Sequence, residues 1–200
     1  MYLPKIREIT EALRSFFSPA YTTKYPFKPY QAPREYRGYP KYYQADCVGC
    51  GTCAQVCPTN AIEIIDDKEG RIRRLVLDYA ACSQCGQCEE KCITQKGIKL
   101  SNEYVLSTPD LKAPEVFETV EKELALCEVC GEVVACRDHL LFVKERLGAK
   151  AYAHPNLLIE TNLQFTPVDP SHVKDKLRRE DLIKEVCPKC RHRIVLKDEF

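Results

Sequence analysis

The sequence predicts an α+β chain held together by cysteine-bound metal more than by a large apolar core. Three observations predict this. Eight cysteines between Cys47 and Cys92 fall into two copies of one spacing. An amphipathic stretch and a Tyr- and Pro-rich stretch precede them. Two further Cys-x-x-Cys turns, Cys127/Cys130 and Cys187/Cys190, follow. Three segments are expected: a helix and extended arm over 1–46, a cysteine-rich core over 47–105, and a helical domain with a four-cysteine site over 106–200.

The first element is the helix. Leu3, Ile6, Ile9, Leu13, Phe16 and Phe17 recur at intervals of three and four, with Lys5, Arg7, Glu8, Glu11 and Arg14 between them. That period predicts an amphipathic helix over 3–17. Little core precedes or follows it, so docking to a partner or a membrane surface is expected of its apolar face. Residues 18–46 carry Tyr21, Tyr25, Pro26, Pro29, Tyr30, Pro33, Tyr36, Tyr39, Pro40, Tyr42 and Tyr43. Proline at this density forbids regular helix and favours extended chain. Disordered linkers rarely hold so many aromatics, so an ordered arm across a partner protein is expected.

The two cysteine runs read Cys47-x2-Cys50-x2-Cys53-x3-Cys57-Pro58 and Cys82-x2-Cys85-x2-Cys88-x3-Cys92-Ile93, each cysteine recurring 35 positions later. This is the ligand spacing of a two-cluster ferredoxin, in which three thiolates of a run hold one [4Fe–4S] cube and the fourth reaches the other. Two-residue gaps let one turning loop present successive sulfurs to a compact cube. Cys47, Cys50, Cys53 and Cys92 are therefore expected to hold one cluster, and Cys82, Cys85, Cys88 and Cys57 the other. Gly51 and Gly86 occupy matching places, where the absence of Cβ would allow close approach to the cluster. Ile93 stands where Pro58 stands in the first run, keeping bulk and losing rigidity. A disulfide framework would need an oxidising compartment, and zinc sites pair separated knuckles instead of using four-cysteine runs. Ala61–Ile65 and Arg71–Asp78 alternate as strands around an Asp66–Gly70 turn, and Gly97–Leu100 repeats the place of Ala61–Ile64. An internal pseudo-twofold follows, with the clusters acting as staples for a small core.

Past Leu100 the expected elements are a helix over Pro114–Leu126, a second over Arg137–Leu147 stopped by Gly148, irregular chain over Ala153–Pro170, a third helix over Ser171–Val186 and a strand over Arg191–Leu196. Cys127, Cys130, Cys187 and Cys190 supply two knuckles to one tetrahedral site of zinc-ribbon or rubredoxin-like type. Zinc is the expected metal and a single redox iron the second choice. Cys136 is left over and reads as a buried thiol, with the capacity to displace one ligand. His192 is an outside candidate for the fourth position.

Charge and composition exclude several classes. The formal net charge is +1. It is distributed as +4 over residues 1–46, zero over 47–100 and −3 over 101–200. No basic stripe accompanies the knuckles, which argues against nucleic-acid binding. A neutral cluster segment suits a fixed subunit better than a freely diffusing acidic carrier. No run of about 18 apolar residues occurs. No secretory-signal pattern is present, so a reducing compartment is expected. Neither a nucleophile with its base nor a phosphate loop is evident.

The order of motifs resembles the ferredoxin-like subunit of NADH:quinone oxidoreductase (complex I) and of group 4 membrane-bound [NiFe] hydrogenases. The residues that carry the resemblance are Thr23-Lys24-Tyr25-Pro26-Phe27, Arg34-Glu35-Tyr36-Arg37-Gly38, both cysteine runs and Ser101-Asn102-Glu103-Tyr104. Leu126-Cys127-Glu128-Val129-Cys130 and Cys187-Pro188-Lys189-Cys190-Arg191 look like the formate hydrogenlyase type. The resemblance implies a bacterial-type 2[4Fe–4S] ferredoxin core with no catalytic site of its own. Its implied role is to relay electrons from a donor module to the hydrogenase small subunit, in a complex coupled to ion translocation. The donor would be formate dehydrogenase, carbon monoxide dehydrogenase or ferredoxin. The implied partners are the small, large and membrane subunits, with this chain peripheral on the cytoplasmic side of the membrane. A complex I-type subunit is the alternative.

Overall fold

The computed structural model describes residues 5–19, 27–28, 30–104, 107–163 and 184–196. Residues 1–36 and 37–200 form two compact units, each described separately. In the first unit, α1 (Ile6–Phe17) matches the expected helix, residues 3 and 4 lying outside the described residues. The Glu8 carboxylate accepts the Lys5 N–H at 3.1 Å, satisfying one donor at the helix start. No α1 residue is buried, and Ile6, Phe16 and Phe17 are each at least 80% exposed.

The second unit begins where the arm was expected to continue. Pro40–Tyr42 forms β1, which pairs antiparallel with β4 (Ile98–Leu100). The Gly38 N–H donates to the Ser101 carbonyl at 2.8 Å, and Tyr79 Oη donates to the Pro40 carbonyl at 3.1 Å. Residues 38–42 are thus part of this unit's own core, which corrects the reading of the whole stretch as an arm across a partner. Tyrosines here serve packing: the Tyr39 and Tyr79 rings stack with centroids 4.8 Å apart.

Strands β2 (Ile62–Asp67) and β3 (Ile72–Asp78) form the expected hairpin. Its turn is fixed by Asp67, whose carboxylate accepts the N–H groups of Glu69 and Gly70. Short helices α2 (Thr52–Gln55) and α3 (Gln87–Glu90) follow Gly51 and Gly86, the residues after the second cysteine of each run. The pseudo-twofold extends beyond the cysteines. Tyr42 pairs with Ile98 as Leu77 pairs with Ile62, and Pro40 with Leu100 as Leu75 with Ile64. The β1–β4 ladder is therefore the twin of the β3–β2 ladder.

Strand β5 (Phe117–Leu126) replaces most of the helix expected over Pro114–Leu126, after a 3₁₀ turn at Pro114–Val116. Val116, Val120 and Leu124 are spaced by four, which fits a helix face and also twice the strand period. The open edge of β3 decides between them. Leu75 faces Val120 across the ladder, and Arg74 meets Glu121 at 2.7 Å. The pairing with β6 (Val133–Cys136) completes the four-stranded order β2-β3-β5-β6. Residues on both sides of position 105 thus share one sheet. Leu75, Leu77, Val116, Val120 and Leu124 are at most 2% exposed. Fully burying each such side chain contributes about 1.5–3 kcal/mol.

Helix α4 (Arg137–Leu147) forms as expected and stops at Gly148. A 3₁₀ segment, Gly148–Ala153, follows, and the stretch expected to be irregular from Ala153 onward instead holds α5 (Pro155–Leu163). Pro155 stands at the first helical position, where its missing N–H costs nothing. Residues 164–170, and 171–183 of the expected third helix, lie outside the described residues; 184–186 are not helical. The expected strand over Arg191–Leu196 is helix α6 (Pro188–Leu196). Pro188 again opens the helix, and Cys190 and Ile194, one turn apart, supply its buried face.

Candidate iron–sulfur and thiolate metal centres

The eight core cysteines converge in two places. One cavity, of about 310 Å³, is lined by Cys47, Cys50, Cys53 and Cys92, with Tyr42 and Ile98 beside them. The other, of about 330 Å³, is lined by Cys57, Cys82, Cys85 and Cys88, with Leu77 and Leu100 beside them. Each set takes three cysteines from one run and one from the other. These cavities and the soft, four-thiol lining fit a cubane. All thirteen cysteines are free.

Local backbone explains the convergence. Gly51 and Gly86 take φ values of +76° and +82° as they turn each loop into its short helix. A Cβ on Gly51 would lie 2.7 Å from Ile64 Cδ1, so the hairpin packs closely against this turn. The fourth cysteines are served by backbone and threonine donors: the Ala61 N–H donates to Cys57 Sγ at 3.3 Å, and Thr94 lies 3.3 Å from Cys92 Sγ. Burial pushes the Cys57 and Cys92 thiols up, but hydrogen bonds from Thr59, Thr94 and neighbouring amides outweigh it and leave both below the ordinary thiol. Burial raises Cys53 to about 11 and Cys88 to about 12, so both hold their protons until a metal displaces them. Ile93, in the place of Pro58, lines the cavity of the Cys47 set.

The third constellation joins the two knuckles. The Sγ atoms of Cys127, Cys130, Cys187 and Cys190 all lie within 4.8 Å of one another. Cys127 directly follows β5, and Cys190 sits in the first turn of α6. The Glu128 N–H ties the knuckles by donating to the Glu185 carbonyl at 2.9 Å, and Asn156 of α5 holds the second knuckle, its Nδ2 donating to the Val186 carbonyl at 3.1 Å. Arg191 also donates to Asn156. By residue type the four thiols could hold a zinc ion, a single iron or an iron–sulfur cluster. His192 is exposed and stays outside the group, and Cys136 lies elsewhere, its thiol donating to the Gly49 carbonyl at 3.3 Å. Sequence reasoning missed Arg137, Glu160 and Glu185 beside this site. Arg137 meets the buried Glu160 at 2.6 Å, and burial, followed by Glu160, pushes the Glu185 carboxyl up.

Residues 46–96 match the family model of the 4Fe–4S dicluster domain. The chain is 30% identical over 95 residues to NAD(P)H-quinone oxidoreductase subunit I of Gloeobacter violaceus, covering 44% of each. It is 31% identical over 120 residues to formate hydrogenlyase subunit 6 of Escherichia coli, covering 60% of this chain and 64% of that one. The match thus spans less than two thirds of either relative. A solved structure of the membrane-bound sulfane sulfur reductase, an archaeal respiratory membrane complex, contains a chain 25% identical at a TM-score of 0.42, covering 55% of this chain and 59% of that one. Among the described residues no helix is long and apolar enough to cross a membrane.

Proposed function

We propose that this chain is an electron-relay subunit of a membrane-associated respiratory complex, of the group 4 [NiFe] hydrogenase type. Cys47, Cys50, Cys53 and Cys92 hold one [4Fe–4S] cluster; Cys57, Cys82, Cys85 and Cys88 hold the second. The pair of four-cysteine cavities with crossed linings carries this reading. Each cluster has its full thiolate complement, so neither offers an open iron to a substrate, and single-electron transfer is the chemistry left. The chain receives electrons from a donor module and passes them to the hydrogenase small subunit. It sits peripherally on the cytoplasmic side, with the apolar face of α1 as a docking element.

The hydrogenase setting is favoured over a quinone-reductase one by the C-terminal four-thiol group, Cys127, Cys130, Cys187 and Cys190, whose motifs resemble the formate hydrogenlyase type. For the C-terminal thiols we propose one structural zinc. Four thiolates about 2.3 Å from one zinc lie about 3.8 Å apart. Here Cys130 Sγ and Cys187 Sγ are 3.7 Å apart. A cubane would place four irons and their outward bonds between the thiolates and spread them wider. Solubilising the native assembly and identifying its subunits tests the setting. Co-purification with a nickel–iron subunit is expected, and co-purification with a quinone-reductase core alone would overturn it.

A further inference from the structure

The internal repeat makes each half of the core a control for the other. Thirty-five positions separate Tyr42 from Leu77, Gly49 from Gln84 and Asn60 from Gln95. The backbone follows: φ is positive at both Gly49 and Gln84 and at both Asn60 and Gln95. Tyr42 and Leu77 hold the same place in the twin ladders. Their chemistry differs. The Tyr42 hydroxyl lies 3.6 Å from Cys53 Sγ, in the cavity of the Cys47 set. Leu77 lines the other cavity and has no proton to donate.

Resting on the two-cluster reading above, we propose that Tyr42 donates a hydrogen bond to ligating Cys53 and thereby holds the Cys47/Cys50/Cys53/Cys92 cluster at a higher reduction potential than its twin. Reduction adds negative charge that spreads onto the ligating sulfurs. A donor stabilises that charge more in the reduced form, so potential rises with hydrogen bonds to sulfur. A phenol is protonated at neutral pH, so Tyr42 is able to donate. Arg37 donates to the Cys85 carbonyl at 3.3 Å on the other side, but at an exposed position where solvent screens it. The relay therefore has a direction: an electron taken from the donor on the Cys82–Cys88 side runs downhill toward Cys53 and leaves to the acceptor from there.

The test is an EPR-monitored redox titration of the full chain, loaded anaerobically to about eight irons. Wild type should show two resolved midpoints. Tyr42→Phe and Tyr42→Leu should both lower the higher midpoint, leave the lower one in place and keep the iron content. Coincident wild-type midpoints, no shift, a shift of the lower midpoint, or equal shifts of both would overturn the proposal. Failure of both variants to bind two clusters would also overturn it, because Tyr42 would then build the site instead of tuning it. A wild type that takes up only about four irons would instead sink the two-cluster reading itself.

Discussion

Replacing Gly49 with alanine should destabilise the cluster loop severely, while the same change at its twin, Gln84, should do little. Gly49 has φ +67°, and a Cβ there would lie 2.6 Å from Cys136 Sγ and 3.0 Å from Lys122 Cβ. Neither neighbour can give way easily. Cys136 is fully buried and bonded to the Gly49 carbonyl, and Arg73 grips the same carbonyl at 3.1 Å while held by Asp66 at 2.6 Å. A left-handed alanine costs about 1–2 kcal/mol. Overpacking adds about 1–3 kcal/mol. The sum, about 2–5 kcal/mol, corresponds to about 1.4–3.6 orders of magnitude in rate at about 1.4 kcal/mol per tenfold. Gln84 already carries a side chain at φ +55°, so Gln84→Ala should stay within about 0.5 kcal/mol. The assay is the rate at which visible cluster absorbance bleaches at a fixed guanidinium concentration. Cys136→Ala should restore part of the loss in Gly49→Ala, giving a coupling of about 1–3 kcal/mol. Bleaching of Gly49→Ala at the wild-type rate, or no relief from Cys136→Ala, would refute the contact argument.

Other outcomes follow from the same structure. Arg137→Ala should lower stability by about 3–5 kcal/mol, because it leaves Glu160, 3% exposed, as an unpaired buried carboxylate beside Glu185; thermal unfolding measures this, and a loss under about 1 kcal/mol would place it among ordinary surface pairs. Cys130→Ser should remove the zinc while the dicluster iron stays, as read by metal analysis; zinc retained at full occupancy would break the four-thiolate assignment. Phe16→Asp combined with Phe17→Asp should release the chain from native membranes with its visible spectrum intact. Continued co-sedimentation would remove α1 from the docking account.

The cysteine sites were largely legible because ligand spacing is a local property of the chain. The hairpin β2–β3 was legible for the same reason: alternation and an Asp67–Gly70 turn lie within a short window. Strand β5 was not, because a spacing of four in Val116, Val120 and Leu124 satisfies two periods, and only the edge of β3 chooses. The strand β1 was hidden among prolines and tyrosines, its partner β4 lying far along the chain. Helix α6 was misread because Arg191–Leu196 ends in three β-branched or aliphatic residues, while the deciding contacts of Cys190 and Ile194 are tertiary. The Arg137–Glu160–Glu185 group joins residues from separate elements, and no motif announces it.

The crossed ligand sets are the centre of the account, and serine variants compared by EPR test them most directly. Wild type should bind about eight irons and eight sulfides in its two cubanes. Cys57→Ser and Cys82→Ser should damage the same cluster and leave one and the same surviving signal, whereas Cys47→Ser should leave the other. If Cys57→Ser instead matched Cys47→Ser, each run would hold its own cluster and the crossed assignment would be wrong.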